Sequence, residues 1–190
     1  LQNMQNKQFY DAKDGGFYRY SQDDMWEKPH LEKTLYDNAL LSQLYIDAYL
    51  FYKDESFLKT AKETLDFWLK SMSKDDLLFT SIYKDTINKR VKTSQSAMMI
   101  RTLFSLGNID EKYKQKALSM LKKLTDTLYI DSTLYNSTFV DKLPQTKAVL
   151  EDYAFLSQTF ISAYNSTKDE LYLIEAQKLT NKALEEFYQN

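Results

Sequence analysis

A chain of 190 residues with 43% hydrophobic and 15% aromatic side chains is long enough for one domain with its own core, and too aromatic to stay a solvated coil. Its 25 Lys and Arg against 27 Asp and Glu leave a net charge of −2, which gives nucleic acid no electrostatic footprint. Three Gly and two Pro argue for long helices over a turn-dense β-sandwich, and the lack of Cys removes disulfides, thiolate nucleophiles and cysteine metal sites together.

No apolar run approaches the ~20 residues of a membrane-spanning helix, and no charged, apolar leader opens the chain. The first residue is Leu1 rather than Met, so we read the chain as a piece of a longer protein, with a cytoplasmic setting as the default.

A loop over about 11–30 comes first. Residues 14–38, DGGFYRYSQDDMWEKPHLEKTLYDN, break the composition of the rest: Gly15 and Gly16, Pro29 and the single histidine, His30, all lie here. Arg19, Tyr20, Trp26, Glu32, Lys33, Tyr36, Asp37 and Asn38 crowd the same window. Aromatic faces beside directed polar groups suit a polar organic ligand, notably a sugar. The plainer reading is a loop folded over a helix end, with His30 hydrogen-bonding that end and Glu32 and Lys33 as first-turn charges.

The first hairpin follows over about 31–72. Leu40, Leu41, Leu44, Ala48 and Phe51 recur at helical spacing, and Asp54 reads as the N-cap of a second helix carrying Phe57, Leu58, Ala61, Leu65, Trp68 and Leu69. A loop containing LLFTSIY, from Leu77 to Tyr83, is expected to form a short strand pair with little core behind it.

The second hairpin spans about 93–128. Gly107 ends its first helix, and Asp110 restarts the chain with Tyr113, Ala117, Leu121 and Leu124 on the buried side. The Met98-Met99 pair and the helix tyrosines read as core.

The third hairpin, about 149–189, repeats the first. Leu150 to Leu184 lies on Leu35 to Leu69 without a gap, at a constant offset of 115 residues. Asp37 thus meets Asp152, Leu41-Ser42-Gln43 meets Leu156-Ser157-Gln158, and Lys53-Asp54-Glu55 meets Lys168-Asp169-Glu170. AMMIRTLFSL, from Ala97, is a weaker copy midway.

The expected fold is therefore all-α: one helical domain over 1–190 built from about three tandem hairpins. Asp37 and Asp152 start equivalent helices, which suits a structural role and also puts both carboxylates at one end of the array. With one His, no Cys, no P-loop and no G-x-G-x-x-G, neither a transition-metal site nor a cofactor is expected.

GGFYRYSQDDMWEKPHLEKTLYDNALL, from Gly15, resembles the G-G-F-x-R-Y-S-x-D-x-x-W-x-x-P-H-F-E-K-M-L-Y-D-N-A-x-L signature of the spermatogenesis-associated-protein-20-like family. TSQSAMMIRTLFSLG, from Thr93, and LEDYAFLSQTFISAY, from Leu150, resemble two later segments of the same family. The resemblance implies a helical region similar to six-hairpin glycosidases and sugar 2-epimerases, an (α/α)6 toroid, joined to a thioredoxin-like domain. Three hairpins would be half of such a toroid, with the remaining N- and C-terminal parts of the parent chain as partners.

The implied site has His30, Asp37 and Asp152 as acid–base residues. Arg19, Tyr20, Trp26, Glu32, Lys33, Tyr36 and Asn38 would contact a sugar ligand. Sugar 2-epimerases use two histidines, and this chain supplies one. Glycosidase chemistry would draw on Asp37 with Asp152 or Glu151. Gln95-Ser96 stands where the family has Trp-Asn, Leu31 where it has Phe, and the insertion after the first hairpin is shortened to 73–92. The resemblance names relatives rather than a reaction, and a non-catalytic interaction scaffold is the alternative.

Overall fold

The computed structural model describes residues 1–188. Its chain gathers into two compact units where the sequence reading placed one domain: Leu1–Lys74 with Leu78–Lys89, and Asp75–Leu77 with the residues from Arg90 onward. The all-α expectation gives way to a mainly helical fold with small sheets, because the loops between hairpins pair their backbones into strands of two to seven residues.

The first unit opens with α1 (Gln2–Asn6) and the long loop, then runs β1 (Glu32–Thr34), α2 (Leu35–Tyr52) and α3 (Glu55–Ser71). After β2 (Ser73–Lys74) and β3 (Leu77–Leu78), β4 (Ser81–Tyr83) and β5 (Thr86–Asn88) complete an antiparallel sheet in the order β1-β4-β5. Leu77, Leu78 and Phe79, expected to have little behind them, are buried.

The turn between α2 and α3 is built by two residues. Lys53 takes a left-handed conformation at φ 57°, and the Asp54 side chain accepts from the Ser56 amide. That cap satisfies a helix-start donor and contributes about 1 kcal/mol. Phe57, Leu58, Ala61, Leu65 and Trp68 then bury one face of α3, as their spacing predicts.

The stripe expected on α2 is corrected. Leu40, Leu44 and Phe51 are exposed, and the helix buries Leu35, Asn38, Ala39, Ser42, Tyr45 and Ile46 instead. Apolar residues surround this helix on all sides, so spacing alone cannot say which face goes inward. The expectation that helix tyrosines are core is corrected in part: Tyr45 is fully buried, whereas Tyr36 and Tyr52 are exposed.

In the second unit β6 (Arg90–Lys92) leads into α4 (Thr93–Gly107) and α5 (Glu111–Leu128). Next come β7 (Tyr129–Ile130), β8 (Thr133–Phe139) and β9 (Thr146–Lys147), with β8 pairing β6, β7 and β9. The unit ends in α6 (Leu150–Thr167) and α7 (Glu170–Phe187).

Tyr113, Ala117, Leu121 and Leu124 of α5 are buried, as are Met98 and Met99 of α4. Each large side chain so enclosed contributes about 1.5–3 kcal/mol. Gly107 lets α5 approach closely, since a Cβ there would lie 2.7 Å from Lys114 Cβ. The Lys–Asp turn recurs between α6 and α7: Lys168 is left-handed at φ 62°, and Asp169 accepts from the Leu171 amide.

Candidate functional site

The long loop of the first unit folds around Asp11 and Asn38. Asp11 Oδ1 accepts from the amides of Lys13 (3.0 Å) and Asp14 (3.1 Å), closing a tight turn. Gly15 and Gly16 follow, both at φ 86°, where a side chain is strained, and a Cβ on Gly15 would lie 2.6 Å from the Glu63 carbonyl.

Asn38, fully buried on α2, then clamps Phe17: its Oδ1 accepts the Phe17 amide at 2.6 Å and its Nδ2 donates to the Phe17 carbonyl at 2.9 Å. Phe17 stacks on Tyr45 at 5.2 Å between ring centres, which ties the loop to the core.

Lys33 is buried and holds the same turn. Its ammonium donates to Asp11 Oδ2 (2.8 Å) and to the Gly15 carbonyl (2.6 Å), and lies 4.2 Å from the centre of the Phe67 ring. Burial pulls the Lys33 ammonium below the usual lysine range against the pull of Asp11. Burial pushes Asp11 up, but the bonds from Lys33 and the two amides hold it below the usual carboxylate range. Lys33 and Asn38, two expected ligand contacts, therefore serve the loop's own structure.

Beyond Phe17 the loop becomes an exposed hairpin. The amides of Arg19, Gln22 and His30 bond to the carbonyls of Glu32, Lys28 and Tyr20. At its tip Trp26 adopts φ 62° and packs edge-on against Phe9 at 5.2 Å.

Arg19, Tyr20, His30 and Glu32 come together. His30 is stacked between Tyr20 at 4.7 Å and Tyr83 at 5.3 Å, and its Nδ1 is buried without a hydrogen-bond partner. Tyr20 and Tyr83 are 48% and 46% exposed. The Arg19 guanidinium, in water, donates to Glu32 Oε2 at 2.7 Å; that bond, with Asp37 and Tyr20 adding, raises its pKa. Glu32 and Tyr83 are register partners across β1 and β4. Tyr36 is exposed on the first turn of α2.

Tyr83 was missed in the sequence because strand pairing brings it there from 53 residues beyond His30. The signal that could have found it is the alternating run SIY, already noted as a strand.

The two aspartates occupy equivalent helix starts but different surroundings. Asp37, half-buried, accepts from the Thr34 hydroxyl at 2.5 Å, and that hydroxyl accepts from the Asp37 amide at 3.1 Å. Asp152, in the second unit, is fully buried and accepts from the amides of Ser94 (3.0 Å) and Val149 (3.0 Å) and from Asn136 Nδ2 (2.8 Å). Its oxygens are engaged in joining the start of α6 to α4 and β8. Beside it in sequence, Glu151 is exposed. At the Gln95-Ser96 position Gln95 Oε1 and Ser96 Oγ are buried without partners.

Among the described residues no group of three or more His, Asp or Glu could hold a metal, and no helix is long and apolar enough to cross a membrane.

No family profile matches the chain. Spermatogenesis-associated protein 20 of Rattus norvegicus is 41% identical over 73 residues, and that of Homo sapiens 40%; the stretch is 38% of this chain and 9% of each relative. Among solved structures, a D-mannose isomerase superposes with a TM-score of 0.81 at 14% identity, over 92% of this chain and 47% of that one. Cellobiose 2-epimerase from Spirochaeta thermophila gives 0.80 at 15% identity, over 93% and 48%. A family 76 α-mannanase of Bacteroides thetaiotaomicron gives 0.78 at 21%, over 95% and 52%. The chain spans about half the length of these structures. It is thus similar in sequence to spermatogenesis-associated protein 20 and similar in fold to the six-hairpin, glycosidase-like sugar epimerases and mannanases.

Proposed function

We propose that the chain is half of a carbohydrate-binding (α/α)6 toroid, in the thioredoxin-linked setting that its sequence resemblance implies, and that a sugar docks on Tyr20, His30 and Tyr83. The observation that carries this reading is the half-exposed Tyr–His–Tyr stack beside the Arg19–Glu32 pair. A pyranose presents an apolar C–H face to an aromatic ring and hydroxyls at its rim. Arg19 offers donors, while Glu32 and Asp37 offer acceptors around the same spot. The sugar-processing proteins that share the fold support the ligand class, and the reaction is left open.

A scaffold is the second reading. It is favoured by the way Lys33, Asn38 and Asp152 spend their polar groups inside the protein.

Trp26 and Trp68, the two tryptophans, both lie in the first unit, so their fluorescence follows that unit during thermal unfolding. In a screen of mono- and disaccharides, a binding sugar raises the midpoint by mass action, by about 2.7 kcal/mol of stability at a hundred times its Kd. That gain should vanish in Tyr20→Ala and Tyr83→Ala. No shift with any sugar, while both variants stay folded, would move the assignment to the scaffold.

A further inference from the structure

The second unit concentrates positive charge that the chain's overall balance hides. The net charge is −2, yet residues 89–92 and 133–148 hold Lys89, Arg90, Lys92, Lys142 and Lys147 against one carboxylate, Asp141. Strand pairing gathers most of them, since these segments form β6, β8, β9 and the turn that leaves β8.

Register decides which side chains share a face. Arg90 of β6 lies opposite Phe139 of β8, and Ser137 of β8 lies opposite Thr146 of β9. Paired residues point the same way, as do residues two apart on a strand, so Arg90, Ser137, Phe139 and Thr146 belong to one face. Thr138 points the other way and is buried.

The Arg90 guanidinium lies 5.2 Å from the centre of the Phe139 ring. A turn brings a second cation to the same ring. The Lys142 amide donates to the Phe139 carbonyl at 3.0 Å, and the Thr138 hydroxyl donates to the Lys142 carbonyl at 2.7 Å. Asp141, the third residue of that turn, is left-handed at φ 65°. So closed, the turn sets the Lys142 ammonium 5.7 Å from the ring centre.

A cleft of about 550 Å³ opens here, within the size range of small-molecule sites, and Arg90, Ser137, Phe139, Lys142, Leu143 and Thr146 line it. Among the described residues no carboxylate does. Phe139 and Leu143 are 40% and 83% exposed, so two cations stand beside an apolar wall.

We propose that this cleft binds a small phosphate monoester. Arg90 and Lys142 hold the phosphate, the Ser137 and Thr146 hydroxyls donate to its oxygens, and Phe139 and Leu143 meet its apolar part. A phosphate monoester brings about two negative charges and three acceptor oxygens, which two cations and two hydroxyls match. A carboxylate brings half that charge. Arg90 has five donors in a fixed fork, enough to serve a protein partner and a phosphate together. The inference is independent of the sugar reading, because every residue it uses lies in the second unit.

Isothermal titration calorimetry of the 190-residue chain with phenyl phosphate, at about 50 mM salt to limit screening, should show saturable binding. Benzoate keeps the ring with a single charge, and inorganic phosphate keeps the charge without the ring. Each should bind at least about tenfold more weakly. Arg90→Gln and Lys142→Gln remove one cation each at exposed positions, so both should keep their far-UV circular dichroism and lose about tenfold in affinity. Should Arg90→Gln lose its fold, Lys142→Gln decides, since Lys142 lies outside the strands. Lys122→Gln, the same change on exposed α5 surface outside the cleft, should bind as the parent does. No saturable binding of phenyl phosphate, or equal binding of benzoate or of inorganic phosphate, would overturn the proposal. So would an unchanged affinity in Lys142→Gln, or an equal loss in Lys122→Gln.

Discussion

Removing the Asn38 side chain should unfold the loop before it affects anything else. In Asn38→Ala the Phe17 amide loses its acceptor at 2.6 Å and the Phe17 carbonyl loses its donor at 2.9 Å, both in a buried site. A buried polar group left unpaired costs about 1–3 kcal/mol, so two of them, with the lost packing, should remove about 3–5 kcal/mol. That is a large share of the roughly 5–15 kcal/mol that holds a small domain together. The assay is urea unfolding followed by tryptophan fluorescence, because both tryptophans lie in the first unit. Asn38→Asp separates hydrogen bonding from volume: it keeps the acceptor for the Phe17 amide but turns a charge toward the carbonyls of Phe17 and Thr34. It should be as unstable as the alanine variant at neutral pH and partly recover in acid, once protonation restores a donor. A loss below about 1 kcal/mol in Asn38→Ala, or no recovery of the aspartate variant, would refute this account of the loop.

Three further outcomes follow from the same bonds. Asp11 is held below the usual carboxylate range of about 3.9, so its contribution is present above that value and is lost as pH falls through the depressed one; Asp11→Asn should flatten the acid side of the first unit's stability profile. Asp152→Ala should cost about 3 kcal/mol or more, since three donors lose one acceptor in a buried site, and thermal melting followed at 222 nm would read it. Lys53→Gly and Lys168→Gly should each stabilise by up to about 1 kcal/mol, because both positions are left-handed; an unchanged midpoint would show that the turns carry no strain.

What the sequence discloses depends on where the information is local. Asp54 and Asp169 were legible as caps because a cap is a contact two residues away, and the α3 and α5 faces because those helices are polar on the other side. α2 was misread because its apolar residues encircle it, so that only its neighbours choose the buried face. Of the strands only the LLFTSIY run was legible: the others are two to seven residues long and pair through the backbone across dozens of positions. The candidate site suffered the same loss. The residues of 14–38 stand out in the sequence as a unit, yet the sequence could not divide them into those that bind the loop to itself, Lys33 and Asn38, and those that face water, Arg19, Tyr20 and Glu32.

The duplicated aspartates show how one position can be structural in one copy and available in another. At both helix starts the third residue is Asp, but the residue before the helix differs: Thr34 in the first copy, Val149 in the third. Thr34 has a hydroxyl that takes the Asp37 amide, so the cap is made from the N-terminal side, and the Asp37 charge stays within electrostatic reach of Arg19. Val149 has no such group. Asp152 therefore reaches back to the Val149 amide itself, and with Ser94 and Asn136 on the same carboxylate it is fully buried among three donors of its own unit. If that is the cause, Thr34→Val should draw Asp37 toward the vacated helix start and weaken any sugar response without unfolding the unit. The same response in Thr34→Val as in the parent would separate the carboxylate from the site.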